Sequence, residues 1–599
     1  MIAALRLLLT QGDSRRIWGF GLSGAAAILV GFIVVSPAAA EQLIMHGGYY
    51  YILGLFGAFL VYAFRVARPR WERISRWLRR PGWIGLAIVA GTAFAVLSDT
   101  FAHKVLFDEY VLQGTAWHMH ATKEVGTPIR AYEFAGTWLT VDQFLDKRPY
   151  FFTFLLSLLH DLSGFRVQNV YFLNSALAAL TLSLVAWIVY SLTRRTAAAI
   201  LSVGLLATLP VFGQNATGAS MELHNLGMIT VVMASSILYL RAPDSNRLAL
   251  LVIGTVLLAQ CRYESVIFVV PVALLIVLGW LRVGRLVLPW PAVIAPLLLV
   301  PYAWHDRFVT ANPILWQLRE GETARFGLEY VAGNLSAAAN FFFSWSRSQP
   351  SSLALTVVGL AGLVWALVQW ARRLCSAGPR VPLAPGFIVV GVFGLGAFAN
   401  LSLLMFYYWS RLDDGPTARF SLPFYLILAL LSGWSVHAGE NRRIPAVRLA
   451  TVVAAAWMLV IGAPVYARRI YTEHNLVMHE VHWELEQMTA QQGPLLVITS
   501  KATMPFLLHR IPAINVTAAR NRSAQIAWHL EQGTFQNVIV AQVLRPTSAA
   551  GDLGVDPEDV LPPNFRLEPM TRKRFGARWI QLSRLVRVEP VAVVTVTGQ

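Results

Sequence analysis

Along most of the chain, apolar runs of about twenty residues alternate with short polar segments, and each run is long enough to cross about 30 Å of hydrocarbon. About thirteen spans are predicted, at residues 17–35, 47–64, 82–101, 169–192, 197–212, 226–240, 248–260, 266–281, 287–302, 353–370, 386–408, 420–436 and 449–465. Residues 150–162 follow Pro149, are short, and carry His160 and Asp161. They predict an interfacial helix that lies along the membrane. From about Arg468 the pattern changes. Residues 473–491 read as an amphipathic linker helix. Residues 494–499, 513–517 and 537–542 read as short buried strands with helical segments between them, and 577–586 and 591–596 as further strands. Such alternation predicts a small α/β domain.

The fold class expected is therefore a polytopic α-helical membrane protein with a C-terminal α/β domain. Composition agrees, since 14% of residues are charged against roughly a quarter in soluble domains. Four segments follow from the pattern: N-terminal spans at 1–101, a first large polar loop with the interfacial helix at 102–168, a membrane core at 169–467, and the α/β domain at 468–599. The Ser-Pro-Ala-Ala-Ala stretch at 36–40 resembles a signal-peptide cleavage site. The run before it is long for a signal peptide, so a retained helix is expected.

The net charge of +17 raises the question of nucleic-acid binding. The arginines instead cluster in short loops between apolar runs, above all at positions 65, 68, 70, 73, 76, 79 and 80. Arginine-rich short loops belong in the cytoplasm. This places the N-terminus inside, the α/β domain outside, and the 102–168 loop on the outer face of a bacterial-type cytoplasmic membrane. Cys261 and Cys375 form no CxxC pair and read as packing residues. No GxGxxG follows a strand and no Walker-type sequence occurs, so nothing supports nucleotide binding.

Threading the spans puts Asp108, Glu109, Glu222, Arg262, Glu264, Arg411 and Arg419 at outer span ends. Charges at a membrane edge are costly and point to function. Asp108 and Glu109 are neighbours, so they cannot point the same way. One could face a cavity as a general base; the pair could equally be a solvated helix end. Lys147 and Arg148 precede the interfacial helix, where cations suit a lipid phosphate or ordinary headgroup anchoring. Arg262 and Arg419 could bind that phosphate, or could pair with Glu264 and Asp414. Glu222 beside His224 could contact a polar substrate or satisfy a span end. His118 and His120 stand at a spacing poor for metal ligation on one helix face, and His305-Asp306-Arg307 reads as a solvated loop start.

Asp108-Glu109 early in the first outer loop, then Lys147-Arg148-Pro149-Tyr150 and an aromatic-aliphatic helix ending in Gly164, resembles the GT-C superfamily. Within it the pattern is similar to the lipid-phosphate-dependent glycosyltransferases that include protein O-mannosyltransferases and lipid A aminoarabinose transferases. Thr417-Ala418-Arg419-Phe420 followed by Pro423 resembles the late Arg-Tyr-x-x-Pro pattern of that group. The resemblance implies inverting transfer of a sugar from a polyprenyl-phosphate donor to the hydroxyl of a lipid, glycan or protein acceptor. It gives Asp108 the role of general base and makes Lys147, Arg148, Arg262 and Arg419 candidates to meet the leaving phosphate. Two apparent spans precede the span at 82–101, and Arg148-Pro149-Tyr150 stands where many relatives have two prolines. Metal dependence varies across the superfamily, so a divalent metal stays open and no ligand set is assigned. A transporter or flippase would need charges near the bilayer midplane and broken helices. A non-catalytic envelope-assembly scaffold would not need acids and arginines on one face.

Overall fold

The computed structural model describes residues 13–589 apart from 73–81, 135–136, 317, 319–320, 323, 345–348, 376–382, 442–475, 502 and 548–551. The chain forms two compact units, both discontinuous in sequence. The first takes residues up to 102, 122–125 and 146–472; the second takes 103–121, 126–145 and 473 onward.

The first unit is a multi-pass helical bundle. Among the described residues, eight helices are long and apolar enough to cross a membrane: Ser14–Val34, Pro37–Ala67, Asn169–Thr193, Glu222–Arg241, Tyr263–Val283, Leu353–Arg372, Pro385–Met405 and Ala418–Ser435. Thr196–Ala207 and Pro210–Ala216 make a ninth if taken together, bent by 72° at Pro210, which cannot donate to the ladder. Trp83–Leu97 and Ser245–Ala259 are shorter apolar helices. The run at 287–302 is broken into the short helices Trp290–Val293, Ala295–Leu298 and Val300–Ala311, where Pro291, Pro296 and Pro301 recur. The span expected at 449–465 lies outside the described residues. Among the described residues, eight or nine helices thus pass as spans by length and composition, and the expected count of about thirteen is not confirmed.

Helix Pro37–Ala67 starts where Ser36 Oγ accepts from the Ala39 amide and Pro37 takes the first position, so the alanine-rich stretch at 36–40 begins a helix. Large apolar side chains such as Trp18, Phe32, Phe64, Trp83 and Val89 are exposed, as expected of faces turned to lipid. Helix Glu222–Arg241 is the opposite case, buried along almost its whole length. Leu353–Cys375 packs closely against Leu422–Asn441 through glycine: a Cβ at Gly362 would meet the Leu431 carbonyl oxygen at 2.7 Å. Small residues let helices approach where lipid offers no hydrophobic drive. Helix Phe151–Ser163, with Phe151, Phe152, Phe154 and Leu156 buried, ends at Gly164 in a left-handed conformation (φ 76°). It is the short amphipathic helix expected at 150–162.

The second unit is a mixed α/β fold. Its sheet runs in the order β4-β3-β5-β8-β7, from β3 (Leu495–Thr499), β4 (Ala513–Asn515), β5 (Asn537–Pro546), β7 (Phe565–Phe575) and β8 (Arg578–Val588), with β6 (Leu553–Val555) on β5. Strand β3 is parallel to β4 and β5, whereas β8 is antiparallel to β5 and β7. All five residues of β3 are buried, which is why it reads as an unbroken apolar run. Ile498, Val540, Phe565 and Leu585 share the core. Strand β7 carries Arg566 and Glu568 and then the consecutive Arg572, Lys573 and Arg574, with no apolar period to mark it as a strand; the strand expected at 513–517 stops at Asn515, which caps helix Val516–Asn521. Residues 591–596 lie outside the described residues.

Part of the first polar loop belongs to this second unit. Helix Leu106–Thr122 and the hairpin of β1 (Thr127–Phe134) and β2 (Thr137–Phe144) fold with it. Gly114 lies so close to Met504 that a Cβ would sit 2.4 Å from its sulfur. Thr503 donates to the Ile129 carbonyl at 3.0 Å.

Candidate active site

The first unit holds a cluster of buried charge at three element ends. Glu222 opens helix Glu222–Arg241, where a carboxylate complements the helix dipole. Arg262 sits in extended backbone between Ser245–Ala259 and the 3₁₀ turn Tyr263–Phe268. Arg419 lies in the 3₁₀ turn Ala418–Ser421 that leads into the next span. Arg262 donates to Glu222 at 2.6 Å and pairs with Glu264 at 2.6 Å, while Arg419 pairs with Glu222 at 3.1 Å. Phe420 lies near both guanidiniums, 4.7 Å from that of Arg262 and 5.4 Å from that of Arg419, so its ring adds cation–π stabilisation. One partner of Arg419 is thus Glu222, 197 positions earlier in sequence, an acid that reading neighbours along the chain did not suggest.

Beside this cluster opens a cavity of about 360 Å³. Lys147, Arg262 and Arg325 supply cations to its lining, against the carboxylates Glu264 and Asp306. Its walls are largely hydrocarbon and aromatic, with Tyr302, Leu403, Tyr407 and Phe420 among them.

The lining is held by backbone and buried hydrogen bonds. Asp146 accepts from Arg148 Nη1 at 2.7 and 2.8 Å and from the Arg148 amide at 2.9 Å. His305 Nε2 donates to the Asp146 carbonyl oxygen at 2.7 Å. Asp146, Arg148 and His305 are all buried. The two cations read as a pair therefore separate: Arg148 is engaged by Asp146, and Lys147 between them lines the cavity. The Phe151 amide donates to the Gln260 carbonyl at 3.3 Å, which fixes this segment against the one bearing Arg262.

Arg325 and Phe326 come from the second large loop. The Tyr408 amide donates to the Arg325 carbonyl at 3.1 Å, and the Gly327 amide to that of Phe406 at 2.9 Å. Asn334 Nδ2 donates to the carbonyls of Met405 and Tyr407 at 3.0 and 2.9 Å, so the end of the Pro385–Met405 helix is stapled in place. Arg325, Tyr302 and Tyr407 were not singled out from sequence, because only pairing distant in sequence brings them to the cavity. His305, read as a solvated loop start, is instead buried; Arg307 beside it donates to the Gly31 and Val35 carbonyls at 2.8 Å.

The other sequence candidates lie elsewhere. Arg411 pairs with Asp413 at 3.3 Å with 67% of its side chain exposed. His224 is buried with its ring edge-on to Phe151 at 4.6 Å. Asp108 and Glu109 belong to the second unit, in the first turn of helix Leu106–Thr122. Glu109 is buried and accepts from the Lys104 amide, whereas Asp108 is half-buried. Near them His103 stacks on Tyr110 with ring centroids 3.9 Å apart, and burial lowers its pKa to about 3, which leaves it neutral. Among the described residues, no three histidines, cysteines or carboxylates gather to hold a metal ion.

No protein-family model matches the chain, and no curated protein matches it. Among solved structures, the chain is similar to the crystal structure of ArnT from Cupriavidus metallidurans bound to undecaprenyl phosphate, with 14% identity over 84% of this chain and 98% of that one and a TM-score of 0.49. The apo state of the same protein gives 13% identity over the same shares and a TM-score of 0.46. The cryo-EM structure of the arabinosyltransferase EmbB from Mycobacterium smegmatis gives 13% identity over 83% of this chain and 47% of that one, with a TM-score of 0.39.

Proposed function

We propose that the protein is a GT-C-type glycosyltransferase that moves a sugar from a polyprenyl-phosphate donor to an acceptor hydroxyl at the outer face of the cytoplasmic membrane, with the N-terminus cytoplasmic and the α/β domain outside. One observation carries the reading: a cavity in the membrane unit that combines Lys147, Arg262 and Arg325 with apolar walls. A phosphate joined to a long hydrocarbon chain needs cations beside an apolar surface, and this lining offers both.

In the reaction, the acceptor oxygen attacks the anomeric carbon as its proton passes to the Asp108 carboxylate. The bond from that carbon to the phosphate oxygen breaks, and polyprenyl phosphate leaves with the electron pair. A single displacement inverts the anomeric centre. The leaving phosphate needs positive charge rather than a proton, and placed cations act on charge that develops in the transition state. Lys147 and Arg262, both on the cavity wall, are the cations placed for this role. Glu109, tied to the Lys104 amide, holds the turn that bears Asp108. Arg411, exposed and paired with Asp413, is not given a part.

The test is transfer in proteoliposomes, with radiolabelled polyprenyl-phosphate sugars as donors and a crude envelope extract as acceptor. Wild type is compared with Asp108→Asn and Lys147→Ala. Transfer by wild type that falls about 10²–10⁴-fold in Asp108→Asn, with donor binding retained, supports the base. Donor binding lost in Lys147→Ala supports the phosphate site. Equal transfer by wild type and Asp108→Asn would sink the base assignment, and no transfer from any donor would sink the enzyme reading.

A further inference from the structure

The α/β unit carries a second cleft that the transfer reaction does not use. Helix Leu476–Thr489 turns His479, His482, Trp483 and Glu486 to one side, at the spacing of a single helix face. Facing them is the tight turn between β7 and β8, with Gly576 in a left-handed conformation (φ 63°). Lys573 and Arg574 come from that hairpin, and the cleft encloses about 450 Å³.

The floor is aromatic and fixed. Trp483 and Phe575 are 8% and 7% exposed, with ring centroids 5.8 Å apart. Lys573 Nζ stands 5.9 Å from the Trp483 ring and 5.4 Å from the Phe575 ring. Arg574 Nε donates to the Gly576 carbonyl at 2.9 Å, so its guanidinium is held at the turn. Lys573 and Arg574 are both exposed. On the helix, Glu480 and Glu484 are buried and paired with Lys501, which fixes the face presented to the cleft.

Two cations face one carboxylate, Glu486, so the cleft favours an anion. The imidazoles of His479 and His482 add hydrogen-bonding groups. Burial and the neighbouring His479 and His509 hold His482 below the ordinary histidine range, against the opposing pull of Glu486. Aromatic edges with imidazoles and cations suit a polar ring that bears an oxyanion. We propose that this cleft is a binding site for an anionic saccharide, with the phosphate or carboxylate of the sugar at Lys573 and Arg574 and its ring over the Trp483–Phe575 floor.

The inference is independent of sugar transfer and is tested by binding alone. Full-length protein in nanodiscs of zwitterionic lipid is titrated at low salt with glucose 6-phosphate, with glucose and with inorganic phosphate. Wild type is compared with Lys573→Ala/Arg574→Ala, a double change at exposed positions, and with Lys147→Ala. Expected is binding of glucose 6-phosphate that exceeds both fragments and weakens at least about tenfold in the double variant. Equal affinity in the double variant overturns the proposal. So does inorganic phosphate that binds as well as the sugar phosphate. Binding lost in Lys147→Ala but kept in the double variant reports the membrane cavity and also overturns it. A parallel arm measures association of the protein with anionic phosphatidylglycerol vesicles. Loss of that association in the double variant, with sugar phosphate binding unchanged, would mark a lipid-docking surface instead.

Discussion

The Glu222 carboxylate accepts a hydrogen bond of 2.6 Å from the Arg262 guanidinium, with 3% and 4% of the two side chains exposed. The same carboxylate pairs with Arg419 at 3.1 Å. Removal of one member of a buried charge network leaves the others desolvated without compensation, at a cost of about 3–5 kcal/mol. Glu222→Gln is therefore expected to destabilise the membrane unit by that order in denaturant unfolding. Arg411→Ala, at an exposed pair, is expected to change stability by less than about 1 kcal/mol. Similar losses in both variants would contradict this assignment of roles.

Asp146 holds Arg148, next to Lys147 on the cavity wall. Asp146→Asn weakens the three hydrogen bonds from Arg148 and loosens the segment that presents Lys147. Misplacement of a catalytic group by about 1 Å costs on the order of 10²-fold in rate. The expected result is such a loss of transfer in Asp146→Asn, with Asp146→Asn/Lys147→Ala no worse than Lys147→Ala alone. An additive double variant would show that Asp146 acts by another route.

Helix contact through Gly362 leaves no room for a side chain. A Cβ there would press on the Leu431 carbonyl. Gly362→Leu is expected to lower stability by about 1–3 kcal/mol or more through overpacking. Gly391→Ala, where a Cβ meets nothing within 4 Å, serves as the control and should leave stability nearly unchanged. Thermal unfolding in nanodiscs compares the two.

The α/β unit should lose stability as pH rises from about 4.5 toward 7. Burial, then Asp559, push the Glu484 carboxyl up to about 8, and burial, then Arg578, push Lys501 down to about 7. For Glu484 the folded state holds a proton that the unfolded state has lost, so its contribution is full below the ordinary carboxyl value of 4.5 and fades as pH rises to about 8. For Lys501 the sign reverses: its contribution is full above 10.5 and fades as pH falls to about 7. Together they place a minimum near pH 7–8. Hydrogen exchange of the β3 amides from pH 5 to 7 should show falling protection in wild type and a flatter profile in Glu484→Gln. An unchanged slope in Glu484→Gln would exclude the group as its source.

Much of the fold was legible because its signals are local. Eight apolar runs became spans at nearly the expected positions, since a helix satisfies its own backbone and lipid demands a minimum length. The amphipathic helix after Pro149 and strands β3 and β5 were equally plain. Strand β7 was not, because its charged face answers to its place at the sheet edge rather than to any apolar period. The three prolines between 291 and 301 carried the sign that the run there would break, but its hydropathy outweighed them.

The sequence by itself determined the class of this protein: a basic, multi-pass helical membrane chain followed by an α/β domain. It also named Lys147, Arg262 and Glu264, which line the cavity, and Glu222, whose carboxylate pairs with Arg262. Only the tertiary structure decided that Arg148 serves Asp146 while Lys147 lines the cavity, that Arg419 answers to Glu222, that Arg325 and His305 matter at all, and that helix Leu106–Thr122 folds with the distant α/β domain. Hydropathy follows from neighbours a turn away, whereas the partner of a buried charge is set by which helices pack together, often a hundred residues apart.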